Sequence, residues 1–516
     1  MKTIFYSLLI LAILVSCNKK EPNKEQLGVV KFNVYGNKDA QLNFKKGLLL
    51  LHSFEYEDAR EEFKKAQFND PEMGMAYWGE AMTYNHSLWG NQDYDEGYTA
   101  LQNFKAAGDL NSLTDLEQDF LDAAEILYEP QTSKNDRDIA YKNFMEGLHK
   151  TYPDNQEVAA FYSISLLGSV PEGRNDSIYG LGAKVAQKVL LKNPEHPGAL
   201  HYLIHSYDDP VHAKLAINAA NSYAKVAPDA SHALHMPSHI YVALGMWDEV
   251  VISNINSYQA SINRMNRKGL DNNARGYHAY HWLEYGYLQQ NKIEDARQMV
   301  LDMGKYTLET PSNRSRAHLV FLKGTFLVES NDWDSTIADI PVDISNLNIT
   351  VQSKYRYLEA YKAFKNNDEK ALVSIIDECT EDIKAKSLLV SNISDGFTFC
   401  ASLSRDTPTQ TNIDESLVML IQMQALQAWM NNNIIATERW LKDAVAAEKK
   451  LSYSYGPPVI QKPTYELYAD WLMSQNRFEE ANTFYEKTLK MATKRRLATE
   501  GKKEALIRMD EQVVQL

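Results

Sequence analysis

The sequence predicts an all-α protein, a right-handed α-solenoid of about eight to ten helical hairpins. Three observations lead there. The chain has 516 residues, more than one compact core usually holds, so it needs several domains or a repeat array. Glycine and proline are sparse at 23 and 16 residues, while Ala, Leu, Glu, Lys and Asn are frequent, a composition that favours helices. No segment sustains period-two alternation, and only ADIPVDISNLNITV, residues 338–351, hints at extended chain.

The hairpins are read in chain order. In FKKGLLLLHSFEYEDAREEFKKAQFNDP, Gly47, Leu50, Tyr56, Ala59, Phe63, Ala66 and Pro71 fall at a spacing that resembles a tetratricopeptide repeat. Gly47 lets the first helix approach the second, Ala59 does the reverse, and the larger residues fill the space between. Pro71 stops the second helix. Residues 135–153 read as a second helix ending at Tyr152-Pro153, and a further copy centres on Ala216 with Pro228. GMWDEVVISN supplies Gly245, Trp247, Val250 and Asn254, and KIEDARQMV supplies Ile293 and Ala296 behind Tyr280 and Tyr287. Later copies are expected around Trp333 behind Gly324, around Ala371, and around Thr437 with Leu441. RFEEANTFYEKTL, with Phe478, Ala481 and Tyr485, closes the array.

The ends are different. MKTIFYSLLILAILVSC has a basic start at Lys2, an apolar run too short to span a membrane comfortably, and a small residue before Cys17. It reads as a lipoprotein signal peptide over 1–16, with Cys17 lipidated and residues 17–38 a polar tether. The solenoid then covers 39–495, and 496–516 form a lysine-rich helical tail or cap. The expected location is exported, anchored through Cys17 to the bacterial cell envelope, in the periplasm or on the outer membrane. A net charge of −14 without a basic run in the body of the chain excludes nucleic acid as a partner. Beyond Cys17 only Cys379 and Cys400 remain, too few for a disulfide scaffold, and whether they pair stays open.

In tetratricopeptide arrays the concave face is lined from positions about 18, 15, 11, 8 and 7 residues before the small residue of the second helix. With the register set by Gly245, Trp247 and Val250, His232, His235 and His239 fall at 18, 15 and 11 before Val250. His278, His281 and Tyr285 fall at 18, 15 and 11 before Ala296. His201, His205, Asp208 and Asp209 fall at 15, 11, 8 and 7 before Ala216. His52, His86 and His318 reach equivalent places, so ten of the thirteen histidines lie on the groove, where chance would put roughly two. His149, His196 and His212 are the exceptions.

These residues support two functions. In the leading one, a lipid-anchored binding or scaffold protein takes a peptide, a partner protein or a small ligand in a histidine-lined groove. The ligand would meet His201, His205, Asp208, Asp209, His232, His235, His239, His278, His281, Tyr285, His52 and His86. Trp78, Trp282 and Tyr280 would add stacking surface. The alternative is a zinc or copper protein, extending to a metal-dependent hydrolase, with ligands from His201, His205, His232, His235, His239, His278 and His281. Pairs three or four residues apart share a helix face, and Asp208, Asp209 or Glu284 could join them or hold an imidazole tautomer. No HExxH and no cysteine ligand accompany them, so the spacing permits a metal without diagnosing one. No activated Ser, Cys or Lys stands out, and no catalytic residue is assigned. Pro237 is expected to kink its helix and gather the three neighbouring histidines.

HSFEYEDA, DPEMGMAYWGEAM, HSLW, HYLIHSYDDP, YAKVAPDASHALHMPSHIYVALGMWDEV and YGPP together resemble a family of bacterial tetratricopeptide-repeat proteins. The resemblance covers most of the chain after the leader and is weakest between residues 330 and 410. It implies the fold and marks the motif histidines as the functional surface. It implies no reaction.

Overall fold

The computed structural model describes residues 25–108, 112–170, 173–390, 408–453 and 455–515. The signal peptide, Cys17 and Cys400 lie outside them. Among the described residues, ten helical hairpins follow one another, from Lys38–His52 with Tyr56–Asn69 to Thr464–Ser474 with Phe478–Met491. This is an all-α solenoid of tetratricopeptide-like hairpins. No described helix is long and apolar enough to cross a membrane.

Each hairpin is legible locally. Asn37, Asn155 and Asn175 accept backbone N–H bonds as N-caps, and Thr114 with Glu117 forms a full capping box. In five of the hairpins the turn between the two helices uses one left-handed residue, Asn291, Asn367, Asn432, Asn476 or Gly245. Inside the first hairpin Ala59, Phe63 and Ala66 are fully buried, and a Cβ at Gly47 would meet the Phe63 ring at 2.9 Å.

Three expectations change. The helix Asn313–Ser330 has no helical partner near Trp333. A short 3-10 turn, Thr336–Asp339, and irregular chain that turns at Asn346 stand there instead. That stretch, where extended chain was expected, holds no strand and runs from the 3-10 turn through irregular chain into the helix Ile349–Lys365. The only described sheet is a two-residue hairpin, Asn85–His86 with Asn91–Gln92, which no periodicity announced. The tether drawn to residue 38 is also corrected, since Leu27, Val30 and Val34 are buried and Val29 N–H donates to Glu195 O at 2.9 Å.

The solenoid winds tightly enough for distant hairpins to touch. Arg264 and Lys268 bond Asp58 at 2.5 and 2.7 Å, joining the first hairpin to the sixth. The segment after the tenth hairpin returns the same way, and Trp247 Nε1–H donates to Lys494 O at 3.3 Å. Residues 455–463, which link the ninth hairpin to the tenth, run along the inner face. Gly456 has φ +81° and a Cβ there would sit 2.2 Å from Trp282, so only glycine lets this chain lie on that ring. Gln461 presses as closely on Gly324, and Val459 and Ile460 are buried. At Trp282 and Gly324 the concave face is therefore covered by the protein's own chain.

Candidate metal centre

Six histidines meet where the fifth, sixth and seventh hairpins pack. His201 and His205 stand one turn apart on Pro197–Ser206, a helix opened by Pro197 and capped by His196. His232, His235 and His239 follow on a stretch that breaks in two, Ser231–His235 and Pro237–Leu244, because Pro237 has no N–H to give to Ala233. His278 comes from Tyr277–Gln289. The break does not gather the three neighbours into one site, and they part elsewhere, since His235 and His239 stand on either side of it in one set. His232 joins His201 and His205, while His235 and His239 join His278, each set with its ligand atoms within 4.8 Å of one another.

The hydrogen bonds assign the tautomers. Asn254 Nδ2–H donates to Val250 O at 2.8 Å, which turns its oxygen toward His235 Nδ1 at 2.7 Å. His235 therefore carries its proton on Nδ1. His239 Nδ1–H donates to Asp208 Oδ2 at 2.5 Å. Both Nε2 lone pairs then face each other at 3.1 Å. In the other set His201 Nδ1–H donates to His52 O at 2.8 Å, so its Nε2 is bare, with His205 Nε2 at 3.1 Å and His232 Nε2 at 3.2 Å. One lone pair can take one proton, and two nitrogens compete for it. An extra proton is no remedy in this interior. Burial, then the neighbouring His239, holds His235 down to about 3.

A third group, His52, Glu157 and His196, looks alike in composition and differs in bonding. His196 Nδ1 accepts from Ala199 N–H at 3.2 Å, so its Nε2–H donates to Glu157 Oε1 at 3.1 Å. His52 Nε2 gives Glu157 Oε2 a bond of 2.7 Å, and Tyr202 O–H is 2.9 Å from its Nδ1. Every donor has an acceptor, and burial competes with two imidazoles that hold Glu157 far below the carboxylate range. This is a closed hydrogen-bond network that props up His201.

The other sequence candidates lie apart. His281 bonds Thr325 Oγ1 at 2.8 Å and stacks on Phe321, so it leaves the metal set because its face of the helix turns to the unpaired helix Asn313–Ser330. His86 stacks on Tyr56 at 4.1 Å, and His318 bonds Arg314 O at 2.8 Å. Asp209 is committed to Arg174 at 2.9 Å and His212 at 2.8 Å, and Tyr285 OH is bonded by Arg495 at 3.3 Å. Glu284 is buried without a hydrogen bond to either oxygen, and burial beside Glu329 raises it well above the carboxylate range. Trp78 packs edge-on against Phe120 and Phe161 in the core, and Tyr280 stacks on Tyr258. Surface clefts of about 460 and 300 Å³ lie elsewhere, lined by none of the clustered histidines.

Sequence reasoning missed Glu157, His196, Asn254 and Phe54. Phe54 occupies the left-handed turn position at φ +55°, where other hairpins use Asn or Gly. That conformation costs a phenylalanine roughly 1–2 kcal/mol. It sets the ring 4.3 Å from His201 and 5.6 Å from His232. An aromatic in the slot of a turn asparagine was the available signal.

Buried neutral histidines also make stability depend on pH. Burial, then His318, lowers His281 well below its ordinary value, and burial, then Arg314, brings His318 to about 3. Below the unfolded value near 6.5 the unfolded chain binds more protons, so stability falls as pH drops and is flat above about 7. A fully buried histidine such as His281 is expected to cost about 2 kcal/mol by pH 5. Urea titrations at pH 7.5 and 5.0 check this, with His281→Leu flattening the dependence.

No family model and no curated protein matches the sequence. Among solved structures, the yeast Tom70 crystal structure is 12% identical, with 93% of this chain and 90% of that chain covered at a TM-score of 0.33. A Rap protein complexed with Competence and Sporulation Factor is 11% identical, covering 77% and 99% at 0.34. The human IFIT1 dimer with m7Gppp-AAAA is 11% identical, covering 94% and 84% at 0.34.

Proposed function

We propose that the protein binds transition-metal ions inside its superhelix, on His201, His205 and His232 and on His235, His239 and His278. The observation that carries this reading is the facing pair His235 and His239. Each has its Nδ1–H committed, to Asn254 and to Asp208, and their Nε2 atoms are 3.1 Å apart. A cation between the lone pairs turns that repulsion into two bonds. The Asp208–His239 contact is the carboxylate–histidine arrangement that orients metal ligands. The donors are all imidazole, which suits zinc, copper, iron or nickel and disfavours magnesium and calcium. Zinc and copper, the two metals expected from the sequence, both fit.

Peptide or small-ligand binding in an open groove has less support, because residues 455–463 cover that face at Trp282 and Gly324. The array keeps its outer surfaces for protein partners, the usual role of stacked hairpins. The lipid anchor on Cys17 stays part of the proposal and would hold the centre in the cell envelope. Metabolic labelling with a palmitate analogue tests it, and equal label on a Cys17→Ser chain would remove it.

The metal reading is tested on protein purified without a histidine tag and reconstituted with zinc or copper. At least one bound equivalent is expected, with a stabilisation of about 2.7 kcal/mol at a hundredfold excess over Kd. Less than a tenth of an equivalent, and no thermal shift with either metal, would reject it.

A further inference from the structure

Resting on that metal reading, we infer that the two histidine sets bind a pair of copper(I) ions, one on each set. The donors narrow the choice first. Each set offers three imidazole nitrogens, and its grouped ligand atoms include no carboxylate and no thiolate. A three-nitrogen set completes a trigonal copper(I) site. Zinc keeps a fourth position, filled by water where the protein supplies three ligands.

The surroundings leave little room for that water. Each set lies against one aromatic ring. Phe54 is 4.3, 5.6 and 6.0 Å from His201, His232 and His205 by ring centroid. Trp282 is 4.4, 4.8 and 5.4 Å from His239, His235 and His278. Gly456 packs against Trp282, and Tyr455 sits 6.0 Å from His239. His201, His235 and His239 are 0%, 2% and 8% exposed, and His205, His232 and His278 are partly buried, so bulk solvent reaches the sets only in part.

Charge makes the same choice. Two carboxylates reach these sets: Asp208 through His239, and Glu55, which accepts from the His232 backbone N–H at 2.9 Å and from Ser231 at 2.7 Å. Asp209 already faces Arg174, and Asp58 faces Arg264 and Lys268. Two monovalent ions balance two carboxylates. Two divalent ions would leave a surplus of positive charge in a buried region, which is costly. The sets also share a wall, with His205 and His239 centroids 5.9 Å apart and His232 and His235 6.1 Å apart. Filling one set therefore orders residues that frame the other.

The test is an anaerobic titration of the metal-free, tag-free chain with copper(I) against bicinchoninate. Two equivalents are expected to be withheld from the chelator and to resist displacement by a tenfold excess of zinc. His205→Ala and His278→Ala are each expected to withhold one equivalent, with circular dichroism confirming that the helices remain. X-ray absorption of the loaded protein is expected to show three nitrogen scatterers per copper. One equivalent or none in the parent chain, or a four-coordinate spectrum with a water oxygen, overturns the copper(I) pair. Retention of zinc without copper(I) overturns the pair while metal binding stands. If neither metal is retained, both readings fail.

Discussion

Replacing Arg495 by methionine is expected to cost about 3–5 kcal/mol and to release the C-terminal helix from the array. Arg495 is fully buried in the turn between Phe478–Met491 and Arg496–Gln515. Its guanidinium grips Glu466 with two bonds, at 2.7 and 3.1 Å, and also bonds Glu329 and Tyr285. Those partners belong to three different helices, so one side chain ties the end of the solenoid to its middle. Methionine fills similar volume and leaves two carboxylates buried with less compensation; Lys462, at 2.9 Å from Glu466, offsets only one of them. Hydrogen exchange over residues 496–515 reads the effect, together with the urea midpoint. Arg508→Met, on an exposed ion pair with Glu504 in the same helix, is the control and should change neither. Equal exchange rates in the Arg495 variant and the parent would mean that other contacts, such as the bonds from Arg496 to Leu288 and Gln289, hold the helix without Arg495.

The second large effect concerns Asp208. Asp208→Asn is expected to weaken metal binding by about 10–100-fold without losing the fold. The carboxylate can only accept, so it fixes the proton of His239 on Nδ1 and leaves Nε2 for a metal. An asparagine amide can turn its NH2 to that nitrogen, move the proton to Nε2 and remove the donor. Arg174 pairs with Asp209 rather than Asp208, so the neighbouring ion pair should survive. Competition with a chromophoric chelator measures the affinity, and a parallel melting curve separates lost binding from lost structure. Unchanged affinity would exclude His239 as a ligand.

The hairpins could be read in advance because each is a local object. Small residues such as Gly47 and Ala59, the caps and the Asn turns all act within some thirty residues. The winding is not local. It accumulates from small rotations between hairpins, which no single motif encodes, and it decides that Asp58 meets Arg264 and that Gly456 meets Trp282. For the same reason all six clustered histidines could be named from register, but not their division into two sets. His281 keeps the right register and the wrong neighbours, because the unpaired helix Asn313–Ser330 claims it through Thr325. His196 looked like a stray outside the groove. It caps its helix and completes the network under His201, a role visible only once Glu157 arrives from an earlier hairpin.

The inward-running segment at residues 455–463 also sets a timetable. The last clustered histidine, His278, is synthesised 185 residues before residue 463, and the roof cannot close until that stretch has emerged. At about 5–20 residues per second this leaves the six imidazoles uncovered for roughly ten to forty seconds. Ions can enter and leave freely during that interval. On the metal reading, exchange afterwards would wait for the tail of the solenoid to swing away, so an ion taken up at the birth of the chain would then be kept.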